Sequence, residues 1–310
     1  MSTATSAGPP SGAGLPAAST IDLSGKARPG ESVIKGFLVV SALLSIAISF
    51  GIVIALLLPV IDFFKEVPFG DFFSTEGEFS VIPLVSGTAV VTAIALLVAV
   101  PLGLGAAMYL AEYASPRARK YLKPTVELLA GVPSVVYGFF AVAFVTPTLL
   151  QEILNLEVNF TNALAAGTVL GIMIVPTVAS LAEDAMSAVP QAMRQGSLAM
   201  GANRMQTTLR VVFPAALSGI AAAIVLGMSR AIGETMIVAI AAGSQKNVSL
   251  DVREGMQTMT GRMAQIAGGE NAVGSTSYNT LFAIGLLLFL ITLVINVISI
   301  ALVRRFRQVY

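Results

Sequence analysis

The chain has 310 residues with a formal net charge of +1, 55% hydrophobic residues and only 11% charged ones, and its mean hydropathy is +0.85. That composition excludes an ordinary soluble domain and makes the membrane-spanning segment, about 20 apolar residues long, the natural unit of counting. With no cysteine and no histidine, disulfides, thiolate metal sites, imidazole catalysis and His-ligated metals are excluded as well.

Residues 1–30 are rich in Ser, Ala, Gly and Pro and are expected to form a disordered tail. They lack the basic start and apolar core of a secretory signal, so the first spanning helix must direct insertion. Residues 31–310 then form the transmembrane domain. Charge-free runs predict six spanning helices: Gly36–Ile61, Ile82–Ala111, Leu128–Gln151, Val158–Ala182, the stretch after Arg210, and Asn271–Val303. The second and last are longer than a bilayer requires, and their helices narrow to Leu84–Leu110 and Tyr278–Val303. The expected fold is an all-α membrane protein.

Loop charges orient it, since Lys and Arg stay on the cytoplasmic side. Lys26, Arg28 and Lys35 precede the first helix; Arg117, Arg119, Lys120 and Lys123 follow the second; Arg194, Arg204 and Arg210 follow the fourth; Arg304, Arg305 and Arg307 follow the sixth. All four segments fall on one side. The loop after the first helix holds Asp62, Glu66, Asp71, Glu76 and Glu78 against Lys65, and the loop after the third holds Glu152 and Glu157. Both termini are therefore expected in the cytoplasm, with the charge-balanced loop from Lys246 to Glu270 outside.

The fifth segment is distinctive. Between Arg210 and Lys246 its only charged side chains are Arg230 and Glu234, in the run Ser229-Arg230-Ala231-Ile232-Gly233-Glu234-Thr235. An ionised group at bilayer depth costs about 2.5–3.5 kcal/mol on insertion scales, so two in one segment need a reason, and a route for a charged solute is one. Ala215, Gly219, Ala223, Gly227, Ala231, Thr235, Ala239 and Gly243 recur every fourth residue, a ridge of small side chains that lets another backbone approach and implies a central helix. At about 1.5 Å per residue the stretch would measure roughly 50 Å, so it must tilt, protrude or break, with Gly233 or Pro214 as the break.

On an unbroken helix Arg230 and Glu234 share a face and can touch. Mutual neutralisation is one explanation, but a self-contained buried pair contributes little net stability, which favours a functional role. The planar fork of Arg230 suits a phosphate-like oxyanion. Glu234 would hold Arg230 between transport events, or accept a proton from hydrogen phosphate while rejecting sulfate, which has none to donate. Ser229 and Thr235 flank the pair as further candidates for the substrate path. Tyr137, Asn162 and Asn296 read as polar staples between helices.

The loop at about 183–213 reads as a short helix, a Gly turn and a second helical piece. At its centre stand Arg194-Gln195-Gly196-Ser197-Leu198-Ala199-Met200-Gly201-Ala202, and it ends Val211-Val212-Phe213-Pro214. This segment resembles the EAA loop of ABC-importer permeases, whose coupling helix docks on the ATPase. Gly201 and the ending at Pro214 fit the pattern, whereas Gln195, Gly196 and Ser197 stand where the family has Glu, Ala and Ala. Arg194, Gln195, Gly196, Ser197, Gly201 and Pro214 are accordingly the expected ATPase-coupling residues.

The likeness narrows to the phosphate importers of the Pst type. Pro101 to Tyr113, Glu127 to Gly138 and Arg230 to Thr235 all look like their permeases, and Leu281 to Thr292 looks more like the PstC subunit than its partner PstA. The resemblance implies the type I ABC-importer permease architecture in a bacterial inner membrane and associates Arg230 and Glu234 with phosphate passage. It further implies a PstA-like second permease, a PstB-like ATPase dimer and an external PstS-like phosphate-binding protein; membrane lipid is the other partner, and nucleic acid is not one. No Walker A loop occurs, so the chain is not expected to bind ATP itself, to act as an enzyme or to carry a cofactor. Rival readings are a permease for sulfate or molybdate, and a self-sufficient proton-coupled transporter using Glu234.

Overall fold

The computed structural model describes residues 29–306. The tail expected to be disordered lies outside the described residues up to Arg28, with Lys26, while its last two residues, Pro29 and Gly30, are helical; Arg307 also lies outside. The chain divides into two units at Ile52 and Val53. The described part of the first is the beginning of helix α1 (Pro29–Glu66), where large apolar side chains such as Val33, Phe37 and Phe50 are exposed, as lipid-facing residues are.

The second unit begins within α1. After the short α2 (Phe69–Phe72) comes α3 (Ile82–Met108), which runs on into a π-helical turn, Tyr109–Tyr113. Helix α4 (Pro116–Leu129) is amphipathic and N-capped by Ser115. Helix α5 (Ser134–Phe140) continues as a π-helical segment, Ala141–Ile153, and α6 spans Ala163–Ser187. Then come α7 (Gln191–Ala199), α8 (Arg204–Thr207) with a π-helical turn Thr208–Val212, α9 (Phe213–Ala215), α10 (Leu217–Ile232), α11 (Met236–Ala241), α12 (Met259–Gly268) and α13 (Thr276–Phe306). Among the described residues, five helices are long and apolar enough to cross a membrane, and a sixth span results if the pair meeting near Ala216 at 71° is one crossing. The described residues are helical or irregular, with no strand among them.

The differences from expectation lie at the breaks. The third span starts at Ser134, because Pro133 in extended geometry (φ −57°, ψ 134°) stops the preceding helix. Leu128 and Leu129 therefore belong to α4, and both are exposed. The fourth starts at Ala163, since Asn162 (φ −152°, ψ 152°) is its N-cap and accepts from Ala165 N–H at 2.7 Å. The fifth breaks at both candidate positions, bending beside Pro214 and stopping at Gly233.

Helix α6 is the most enclosed of the five straight spans, with 61% of its most apolar window buried, so the central place expected for the fifth segment belongs to the fourth. Small residues explain the density. A Cβ on Gly171 would lie 2.7 Å from the Ala95 carbonyl oxygen and 2.7 Å from Val98 Cβ, so α3 lies almost backbone to backbone on α6. The small-residue ridge of α10 also meets α6, beside α3: Val178 of α6 lies against Gly103 of α3 and Gly227 of α10. A Cβ on Gly219 would meet Ala185 Cβ at 2.5 Å, and one on Gly227 would meet Val178 at 3.0 Å.

The first turn of α6 has an unusual set of partners. Leu164 N–H donates to Val252 O at 2.9 Å and Ala163 N–H to Glu254 O at 3.0 Å, while Asn159 N–H, just before the helix, donates to Arg253 O at 3.0 Å. The turn supplying these carbonyls is clasped by Asp251, whose carboxylate accepts from Arg253 Nε at 2.8 Å and Nη2 at 2.6 Å. That hydrogen bonding holds the Asp251 carboxyl down at about 2. The clasp is thus complete above the ordinary carboxylate range and is lost only as pH falls through about 2.

Replacing Gly171 by Val forces side-chain atoms against the Ala95 carbonyl and should lower the thermal unfolding midpoint of the purified protein by several degrees, in line with overpacking costs of about 1–3 kcal/mol. Gly105, where an added Cβ would have nothing within 4 Å, should accept Ala with no loss, and equal midpoints for the two variants would disprove the packing account.

Candidate functional site

Arg230 lies in the last turn of α10, which ends at Ile232. Gly233 follows with φ −88° and ψ −2°, Glu234 and Thr235 are non-helical, and α11 begins at Met236. The break corrects the shared face expected for the charged pair. Glu234 Oε1 accepts from Met236 N–H at 3.1 Å and, longer, from Ile237 N–H at 3.5 Å, so the carboxylate caps the orphan donors that starting a new helix creates. Arg230 Nη1 instead donates to Thr177 Oγ1 on α6 at 3.0 Å. No Arg230–Glu234 ion pair occurs within 4.0 Å; the ion pairs among the described residues lie elsewhere.

Neighbouring helices fix the rest of the break. Ser229 Oγ donates to Asn296 Oδ1 of α13 at 2.8 Å, and Thr260 Oγ1 of α12 donates to the Glu234 carbonyl at 2.6 Å. The Thr235 hydroxyl reaches only the Gly233 carbonyl, at 3.4 Å. Ser229, Arg230, Glu234 and Thr235 are thus together at one discontinuity, each with a different partner. The exposed Arg230 guanidinium has five N–H donors and, among the described residues, a single neutral partner. Cation at a helix C-terminus and carboxylate at a helix N-terminus also match the two helix dipoles. Such an arrangement can offer an oxyanion a planar, two-pronged contact at a broken helix.

The second group of residues surrounds α7. Gln195 and Gly196 are exposed, as are Leu198 and Met200, the latter by 89%. Ser197 Oγ lies 2.9 Å from Thr207 Oγ1. Gly201 has φ +86°, a left-handed conformation that reverses the chain where a side chain would be strained. Asn203 and Gln206 then start α8 with a reciprocal capping box. Pro214 is exposed at the 71° bend. Arg194 is turned the other way: it is buried, and Nε donates to Glu112 Oε1 at 3.0 Å.

Two acidic residues at this end of the molecule carry a structural role that their sequence context did not assign. Glu112 sits in the π-helical turn after α3. Glu183, fully buried, accepts from Lys123 Nζ at 2.6 Å, from Ser187 Oγ at 2.9 Å and from Arg119 Nη2. Carboxylates inside otherwise basic loops were the available signal. Asn162, Asn296 and Tyr137 behave as staples: Asn162 Nδ2 bonds Thr146 Oγ1 at 3.2 Å, and Tyr137 donates to the Leu129 carbonyl at 3.0 Å.

The Lys123 ammonium also bonds Asp184 at 2.8 Å, and that bond, followed by the one to Glu183, holds its pKa above the ordinary 10.5. A raised folded-state value means that the contribution is complete below 10.5 and is lost only as pH rises beyond it.

This all-helical fold of five candidate spans and a bent pair that can make a sixth, with a helix–turn–helix piece leading into the bent pair, is that of the ABC-importer permeases. The permease of a bacterial alginate ABC transporter superposes with a TM-score of 0.66, covering 91% of this chain and 99% of that one at 16% identity; the MetNI methionine ABC transporter gives 0.52, with 74% and 94% covered at 20% identity. Residues 99–308 match the family described as "Binding-protein-dependent transport system inner membrane component", and the chain belongs to that family. Among relatives, a probable ABC transporter permease, YqgH of Bacillus subtilis, is 36% identical over 74% of this chain and 72% of its own length. The phosphate transport permease PstC of Mesorhizobium japonicum is 32% identical over 72% of each, and PstC 1 of Mycobacterium tuberculosis 32% over 73% of each. The chain is thus the inner-membrane component of an ABC importer.

Removing the Glu183 carboxylate takes away the buried partner that Arg119 and Lys123 share, leaving Lys123 with Asp184 alone. Glu183→Ala should therefore lower the yield of folded protein in detergent, in keeping with about 3–5 kcal/mol for breaking a buried pair. The wild-type melting midpoint should show no change from Lys123 between pH 6 and 9, and a Lys123-dependent transition inside that interval would contradict the pairing.

Proposed function

We propose that the chain is the PstC-type permease subunit of an ATP-driven importer of inorganic phosphate. In this reading both termini and the loop carrying α7 are cytoplasmic, and the translocation path forms with a PstA-like second permease. A PstB-like ATPase dimer works from below and a PstS-like binding protein delivers phosphate from outside. The observation that carries the reading is Arg230, an exposed guanidinium at a broken helix with one neutral partner, in a chain whose relatives include several phosphate permeases. Phosphate passing the break would take the free N–H donors of Arg230, while Glu234 keeps the start of α11 in place and sets a negative charge beside the path. Closure of the ATPase subunits would reach the spans through the exposed face of α7 and the turn at Gly201.

Arg230→Gln should reduce phosphate uptake by the assembled complex at least about tenfold, the worth of one charge-assisted contact in a site with few donors. Arg230→Lys keeps the charge but not the fork and should fall between the two; wild-type uptake by Arg230→Gln would remove the residue from the path.

Gly201→Val strains a left-handed position and should diminish the stimulation of ATP hydrolysis by loaded binding protein, with the permease still assembled. Undiminished stimulation would take the turn out of the coupling route. A second oxyanion reading is kept open by the match to YqgH, whose name gives no substrate, and competition among phosphate, sulfate and molybdate for uptake separates the two.

A further inference from the structure

Arg194 sits mid-way along α7 and points away from the face that the chain exposes. That outer face offers Gln195, Gly196, Leu198 and Met200, whereas the Arg194 side chain is 10% exposed and the Glu112 side chain 8%. The guanidinium uses its donors on two separate pieces of chain, the end of α3 and the end of α6. Nε and Nη2 both reach Glu112 Oε1, at 3.0 and 2.9 Å, in the turn that ends α3. Nη2 also donates to the Met186 carbonyl at 2.8 Å, in the last turns of α6, and Nη1 to the Val189 carbonyl just beyond it. One side chain therefore locks α7 to the ends of the two helices that pack most closely through Gly171.

We infer that Arg194 is a positioning residue that passes displacement of α7 into α3 through Glu112, rather than a contact to a docked partner. The inference rests on the coupling role proposed above for α7. The geometry suits load transfer. Charge-assisted bonds are short and directional, and the pair is shielded from water, so separating the groups would leave both charges stranded. Among the described residues, the other side-chain hydrogen bond of α7 is the single hydroxyl contact between Ser197 and Thr207, which is uncharged and reaches the first piece of the bent fifth span rather than α3 or α6. Lysine could keep the charge near Glu112, but a point ammonium cannot serve Glu112, Met186 O and Val189 O together.

The test uses the complete complex reconstituted in vesicles, with phosphate uptake and ATP hydrolysis measured on the same preparation for Arg194→Lys, Glu112→Gln and the double variant. Phosphate taken up per ATP hydrolysed should fall about fivefold in each single variant, within the range known for residues on a coupling route. The double variant should be no worse than either single one, because both remove the same link. An unchanged ratio overturns the inference, as does a loss of uptake that only tracks the amount of assembled complex. Met200→Asp, on the exposed face, tests the underlying reading separately. If it leaves stimulated hydrolysis intact, the coupling role of α7 itself fails; if it abolishes stimulation while Arg194→Lys keeps a normal ratio, only the link through Glu112 is lost.

Discussion

A backbone that stops being helical inside a membrane must find partners for the N–H and C=O groups it releases, because hydrocarbon offers none. Such partners are present at the break at Gly233. Glu234 supplies its carboxylate to the start of α11, and Thr260 supplies a hydroxyl to the Glu234 carbonyl. With the acid so engaged, Arg230 turns to Thr177 and keeps most of its donors unspent. The chemistry of the candidate path is thus a by-product of how the interrupted helix is satisfied.

The opposite arrangement holds around α4, α6 and α7. There each buried carboxylate meets at least one cation: Glu183 meets Arg119 and Lys123, and Glu112 meets Arg194. Closed charge pairs make poor binding sites but good braces. The molecule therefore separates two uses of charge, with an under-partnered guanidinium at the interrupted helix and saturated pairs where the loops join the spans. Charge density alone would have pointed to the second region, which carries many more ionised groups, and it is the count of unused donors that distinguishes the first.

Much of this was legible in one dimension. The apolar runs located the spans, and excess length with Pro214 and Gly233 located both interruptions. The four-residue ridge found a real close approach, Gly219 and Gly227 on α6. The start of the third span was obscured because Leu128 and Leu129 continue an apolar run while belonging to an amphipathic helix on which they are exposed. The face shared by Arg230 and Glu234 was wrong for a specific reason: a spacing of four implies contact only if the helix continues, and Gly233 ends it. Arg194 looked outward by motif because its partner Glu112 lies on a different helix, and no local pattern reports a long-range pairing.

The carbonyls that cap the first turn of α6 come from residues 252–254, far downstream of the helix they complete. During biosynthesis the central span would leave the ribosome with Asn162 as its cap and with Ala163 and Leu164 still lacking those acceptors. Its first turn can reach final form only after the chain as far as Glu254 has been made. Assembly of the bundle is accordingly finished from its C-terminal half backwards, and truncation before residue 252 would leave the innermost helix frayed at its start.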